Sequence, residues 1–294
     1  VNPDIYQQVT ERIIEQLELG VVPWQSPYFC QIGFPKNFAS RKEYRGINVF
    51  LLGCRRYTSP WFLTFLQAKE LGGHVRKGEK GSLVVKYGTY TPEEERREET
   101  EDAKRRGYLK GYVVFDSSQI EGIAFPETEG LPTFRPSAAC DRARDIVAAM
   151  PKAPAIWEGA GIPHYRPATD SVHMPERKFF TSEEAYYSVL FHELAHATGY
   201  ASRLARKSLL ENRGIDAEGE ARKIYAEEEL VAEMGASFLD AHAGIMECGL
   251  PNSAAYLQGW IDALKSKDAK GWIIRAASQA QKAADYILGN APEG

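Results

Sequence analysis

The sequence predicts an α+β protein of two domains, an N-terminal α/β domain followed by a mostly helical C-terminal one. Three observations carry this. Two β-like stretches, "GGHVRKGEKGSLVVKYGTY" (72–90) and "GYVVFDSSQIEG" (111–122), lie among helical patterns in the first 130 residues. Prolines then concentrate in "FPETEGLPTFRP" (125–136), a linker composition. Beyond it, helical patterning dominates to residue 294. The expected domains are therefore 1–130 and 131–294.

The chain has 294 residues, 44% hydrophobic and 26% charged, a composition that supports packed cores in a soluble protein. No apolar run approaches the roughly 20 residues of a membrane span. "VNPDIYQQVTERIIEQLELG" mixes charges with aliphatics as an amphipathic helix does and a signal peptide does not. Cys30, Cys54, Cys140 and Cys248 are widely separated, with no CxxC pair. That spacing disfavours a zinc ribbon or a disulfide scaffold and suits free thiols in a cytoplasmic protein.

Taken in order, residues 3–20 carry Ile5, Val9, Ile13, Ile14 and Leu17 at helical spacing before Gly20. "PWQSPY" (23–28) interrupts regular structure. "NVFLLGCRRY" (48–57) and "WFLTFLQAKELG" (61–72) have helical character, and the segments at 72–90 and 111–122 are expected to pair. Between them, "TPEEERREETEDAKRRG" (91–107) has the composition of a solvated connection. A helix near 138–149, a β-like region at 155–173 and "DSVHMPERKFF" (170–180), expected to form an edge strand, lead into the helices of the second domain.

The chemistry concentrates in "FHELAHATGY" (191–200). Its helix has a capping box from Thr181 to Glu184 and a stop at Gly199. His192 and His196 project from one face a turn apart, so both imidazoles can reach one ion. Glu193 stands about 100° round the helix, where it can act as general base on a water without itself ligating. A third ligand has to come from a neighbouring element. Downstream, "YAEEELVAEMGASFLDAHAG" (225–244) is helical, with Glu229 and Glu233 four apart in an apolar setting. Tyr225, Tyr186, Tyr187 and His242 are candidates to stabilise an oxyanion, and His173 is a candidate cleft residue.

HExxH followed on a second helix by ExxxE resembles the glutamate-zincin peptidases. The resemblance implies His192, His196 and Glu229 as ligands of Zn2+, or of another divalent ion such as Mn2+, with Glu233 hydrogen-bonding a ligand histidine. Ligation by Glu233 instead, in a shifted register, stays open.

The N-terminal half differs in charge. Residues 36–86 hold eleven Lys and Arg against three Glu, within a chain of net charge −4. Aromatics interleave with them, as in surfaces that stack bases and hold phosphates. Arg41, Lys42, Tyr44, Arg45, Arg76, Lys77, Lys80 and Lys86 are the candidate contacts to single-stranded DNA, without sequence specificity.

"DIYQQVTERIIEQLELGVVPW", "YRGINVFLL" and "GGHVRKGEKG" resemble the N-terminal domain of the ArdC-type antirestriction proteins of conjugative plasmids. "FHELAHATG" with "YAEEELVAE" resembles their metallopeptidase domain. The resemblance spans nearly the whole chain apart from 91–107. It implies a single-stranded-DNA-binding domain joined to a zincin-like domain, in a cytoplasmic monomer that shields incoming plasmid DNA from restriction. Three functions are then in competition: a peptidase acting on a host protein, a passive DNA coat with a structural metal, and a metallonuclease. Glu193 favours the first, because a structural site has no need of a base.

Overall fold

The computed structural model describes residues 4–25, 32–55, 57, 59–90, 106–126, 136–211, 219–246, 254–266 and 271–290. Helix α1 (Ile5–Glu18) starts where the Asp4 carboxylate accepts from the Tyr6 amide at 3.1 Å, and it buries Val9, Ile13 and Leu17. Strands β1 (Lys36–Asn37), β2 (Trp61–Thr64), β4 (Ser82–Tyr90) and β5 (Arg106–Asp116) form one sheet in the order β1-β2-β5-β4. β1 runs parallel to β2, and the other pairs are antiparallel. A second ribbon joins β3 (His74–Val75) to β6 (Ile120–Glu121).

The β4–β5 pairing agrees with expectation, and the charged connection at 91–105 lies outside the described residues. The 61–72 segment is not one helix. Trp61–Thr64 pairs with β1 and β5, and only Phe65–Glu70 (α3) is helical. The switch occurs at Thr64, whose hydroxyl accepts from the Gln67 amide at 3.2 Å while the Gln67 side chain accepts from the Thr64 amide at 3.0 Å. This reciprocal cap starts a helix at a residue that is still extended.

Helix α2 (Ile47–Gly53) lies along β4, one of the two edge strands of the sheet. From it, the Asn48 side chain donates to the Val85 carbonyl at 2.8 Å and accepts from the Val85 amide at 2.7 Å.

The second domain opens with α4 (Pro136–Ala149) and a three-stranded sheet of β7 (Ala155–Gly159), β8 (His164–Arg166) and β9 (Ser171–Pro175), ordered β7-β9-β8. β9, expected at an edge, is the central strand: β7 pairs with it in parallel and β8 antiparallel. Its alternation hides this, because two-sided pairing is a property of its neighbours. Helices α5 (Glu183–Thr198), α6 (Lys207–Leu210), α7 (Glu220–Ala243), α8 (Ala254–Lys265) and α9 (Trp272–Ile287) complete the fold.

α5 is buried on every side from Ala185 to Thr198, as befits a central helix. Its cap is Ser182, whose hydroxyl accepts from the Ala185 amide at 3.0 Å, one residue later than the expected Thr181. It crosses α7 closely where Ala195 meets Gly235. A Cβ on Gly235 would stand 3.0 Å from that of Ala195, so the glycine sets the approach.

The domains share a core. Trp24 is 1% exposed and packs edge-on against Trp260, with ring centres 6.0 Å apart. Phe50 of α2 stacks on Phe238 of α7 at 4.9 Å, and α1, α2, α5, α7 and α9 contribute to one hydrophobic cluster. The expected boundary near residue 130 lies outside the described residues. Cys54 and Cys140 are free thiols, and burial pushes the Cys54 pKa up to about 12.

Candidate metal centre

α5 and α7 bring three ligand types to one point. The Nε2 atoms of His192 and His196 face each other at 3.1 Å. The Glu229 carboxylate reaches across from α7, 3.6 Å from each of them. Among the described residues, these three form the group able to hold a metal ion, with their ligand atoms within 4.8 Å of one another. Two imidazole nitrogens at this separation can share only one proton, and both point at a carboxylate. A cation between them satisfies all three, so the residues fit a divalent ion. The carboxylate that joins the histidines is Glu229, and Glu233 is not in the group.

Behind the ligands, Glu228 holds His196. Its fully buried carboxylate accepts from His196 Nδ1 at 3.0 Å, from Arg206 Nε at 2.8 Å and from the Ser208 hydroxyl at 2.6 Å. Arg206 also donates to the carbonyl of Ala195 and the hydroxyl of Thr198, both at 2.9 Å, fixing the end of α5. Burial opposes ionisation of Glu228, but Arg206 and His196 outweigh it and hold its pKa at about 2. Burial likewise disfavours the charged His196, yet Glu229 and Glu228 raise its pKa to about 9. Burial also opposes ionisation of Glu229, but His196 and His192 hold its pKa below the usual carboxylate value.

Glu233, expected to support a ligand histidine, has other partners. It accepts from the Trp24 indole at 2.7 Å and from the Tyr256 hydroxyl, and burial raises its pKa. The reason is angular. Nδ1 of His196 points away from the three-ligand cluster, towards the helix face that Glu228 occupies next to Glu229. The sequence signal for Glu228 was present in the run Glu227–Glu228–Glu229 but needed the placement of Arg206 to be read.

Glu193 is buried on α5, and its charge raises the pKa of both His196 and Tyr225. Of the oxyanion candidates, Tyr225 adjoins the cluster: its hydroxyl bonds Glu229, and burial, then Glu229, push its pKa up to about 12. Tyr186 donates to Glu158 at 2.7 Å, and Tyr187 engages Arg144 and Arg177. His242 packs on Phe34 with ring centres 4.8 Å apart, and His173 stacks on His164 at the same distance.

The eight candidate DNA contacts are dispersed. Arg41 lies over Phe38 at 4.0 Å and Trp61 at 5.1 Å, beside exposed Lys42. Arg45 is ion-paired with buried Asp285 on α9, and Arg76 with Glu79 at 2.7 Å. Tyr44 is half-buried, edge-on to Phe62. Lys77, Lys80 and Lys86 are exposed. Arg45 ties the sheet domain to α9 while remaining exposed, its charge matched by Asp285.

The fold and the site define a zincin-like domain joined to an N-terminal sheet domain. A family model described as the N-terminal domain of anti-restriction factor ArdC matches residues 3–115, and one described as a zincin-like metallopeptidase matches residues 142–279. The chain is similar to the crystal structure of the antirestriction ArdC protein from the R388 plasmid. In the metal-free form the identity is 40% and the TM-score 0.76, covering 98% of this chain and 97% of that one. In the Mn(II)-bound form they are 39% and 0.73, with 99% of each covered. A Sinorhizobium fredii protein, y4eC, is 34% identical over 97% of this chain and 91% of its own length. DNA primase TraC of Escherichia coli is also 34% identical, over 98% of this chain, which spans 27% of TraC. The chain belongs to the ArdC family of antirestriction proteins.

Proposed function

We propose that the protein binds single-stranded DNA without sequence specificity through its N-terminal domain and hydrolyses a host protein at the metal centre, protecting incoming plasmid DNA from restriction. The observation that carries the catalytic half is the convergence of His192, His196 and Glu229 with Glu193 buried on the same helix. These three would hold Zn2+, or Mn2+ as in the structure of the R388 relative. Such an ion supplies Lewis acidity to a carbonyl oxygen and to water. Glu193 accepts the proton of the attacking water and returns it to the leaving amine. Tyr225, neutral at pH 7, donates a hydrogen bond from its hydroxyl to the oxyanion once released from Glu229. Glu228 and Arg206 keep His196 oriented throughout. A cytoplasmic monomer suits this role. Among the described residues, no helix is long and apolar enough to cross a membrane.

The second reading is a passive DNA coat whose metal only stabilises the native fold. Sharing of one core by both domains favours it to the extent that the metal centre braces the whole chain. Glu193→Ala separates the two. Under the peptidase reading, antirestriction during conjugation is lost while metal content and affinity for oligo-dT stay within about twofold. Full protection by Glu193→Ala would sink it and leave the coat.

A further inference from the structure

We propose that one face of the β4–β5 ribbon is the stacking platform for single-stranded nucleic acid, with Tyr108 and Tyr112 holding bases and Lys86 and Lys110 holding phosphates. The proposal rests on the nucleic-acid reading above, but of the basic cluster that suggested it only Lys86 takes part; Tyr108, Lys110 and Tyr112 lie outside it.

The register defines the face. Lys86 stands directly opposite Lys110, Gly88 opposite Tyr108, and Val84 opposite Tyr112. Alternation along a strand therefore puts Tyr108, Lys110, Tyr112 and Lys86 on one side. The middle of the other side is covered by α1, where a Cβ on Gly111 would stand 2.8 Å from Ile5; Tyr87 and Val113 on that side stay exposed but have no lysine between them. On the platform side, Leu52 of α2 packs with Phe62, Val84 and Val114, and Tyr44 and Tyr57 pack against that cluster. Tyr108 is 44% exposed, Tyr112 is 37% exposed, and both lysines are exposed.

Three features point to a polyanion carrying planar groups. Directly opposed like charges destabilise an antiparallel pair, and a phosphate between Lys86 and Lys110 removes that repulsion. Lys110 sits over the Tyr112 ring at 5.3 Å, so the ammonium and the ring lie close enough to serve one nucleotide. The Tyr108 ring packs against Gly88, where a Cβ would meet it at 2.5 Å; a residue with a side chain there would displace the ring. Tyr108 and Tyr112 are four residues apart on one strand, roughly 14 Å. Aromatics at alternate positions on an open sheet face, with cations between them, stack bases whatever their identity. An acidic peptide or an anionic membrane would use the lysines but leave the flat ring faces without a matching partner.

The test is fluorescence anisotropy of labelled oligo-dT with the full chain, at several salt concentrations. The double variant Tyr108→Ala/Tyr112→Ala is expected to bind at least about tenfold more weakly, with Tyr108→Phe/Tyr112→Phe restoring most of the affinity. Lys86→Gln with Lys110→Gln should flatten the slope of log K against log salt by about 1.4. Melting temperature and metal content of each variant check the fold. Wild-type protein that does not bind oligo-dT would remove the nucleic-acid reading itself. Wild-type binding unchanged in the ribbon variants but lost in Arg41→Ala/Lys42→Ala would overturn only the location. Stronger binding to phosphatidylglycerol vesicles than to oligo-dT, lost in the same ribbon variants, would overturn the partner.

Discussion

Glu228 and His196 meet at 3.0 Å across the α5–α7 interface, with Arg206 bound to the same carboxylate. The imidazole is thereby fixed with Nε2 towards His192 and Glu229.

Glu228→Ala should weaken Zn2+ or Mn2+ binding by about 10- to 100-fold, read by competition with a chromophoric chelator. Glu228→Gln, which can still accept from Nδ1, should recover part of that loss. Equal affinity in all three proteins would mean that the ring is held by packing alone.

Trp24 and Glu233 are 209 residues apart in sequence and bonded at 2.7 Å in the core. Trp24→Phe leaves a buried carboxylate short of a donor and should cost about 1–3 kcal/mol. Because the N-terminal turn and α7 share this contact, thermal unfolding is expected to remain a single transition at a lower temperature. Two separated transitions in calorimetry would show that the domains unfold independently and that the contact does not couple them.

The metal-free protein should lose stability as pH rises from about 6.5 to about 9. The folded pKa of His196, about 9, lies above its ordinary 6.5, so its contribution is full below 6.5 and lost through 9. Asp240, whose burial raises its carboxyl to about 8, acts in the same direction between its ordinary 3.8 and 8. Asp240→Asn should remove the second contribution and leave the first confined to the upper window. Metal affinity should rise across that window, since the ion displaces the His196 proton. A melting temperature flat from pH 6.5 to 9 in both metal-free proteins would refute the assignment.

Much of the candidate site was legible because a helix converts spacing into direction. His192 and His196 four apart must share a face, and Glu229 on a second apolar helix had few other uses. Glu228 and Glu233 were not separable on the same grounds. Each is compatible with the α7 pattern, and the choice depends on Arg206, delivered by a turn, and on Trp24, delivered from the other domain. The N-terminal surface was harder still. Lysines and arginines count equally in composition, but Arg45 has its charge matched by Asp285, while the exposed Lys110 and Tyr112 lie outside the basic window. The strand Trp61–Thr64 was hidden by its continuity with α3, since its apolar run fits either period. β9 showed its alternation but not its two neighbours.

The amide side chain of Asn48 occupies the outward N–H and C=O of Val85 on β4, one of the two edge strands of the sheet. A strand arriving from a second molecule would find the middle of β4 already taken. One residue of α2 thus acts as a stopper against edge-to-edge polymerisation, a hazard for any protein that accumulates locally along a shared filament.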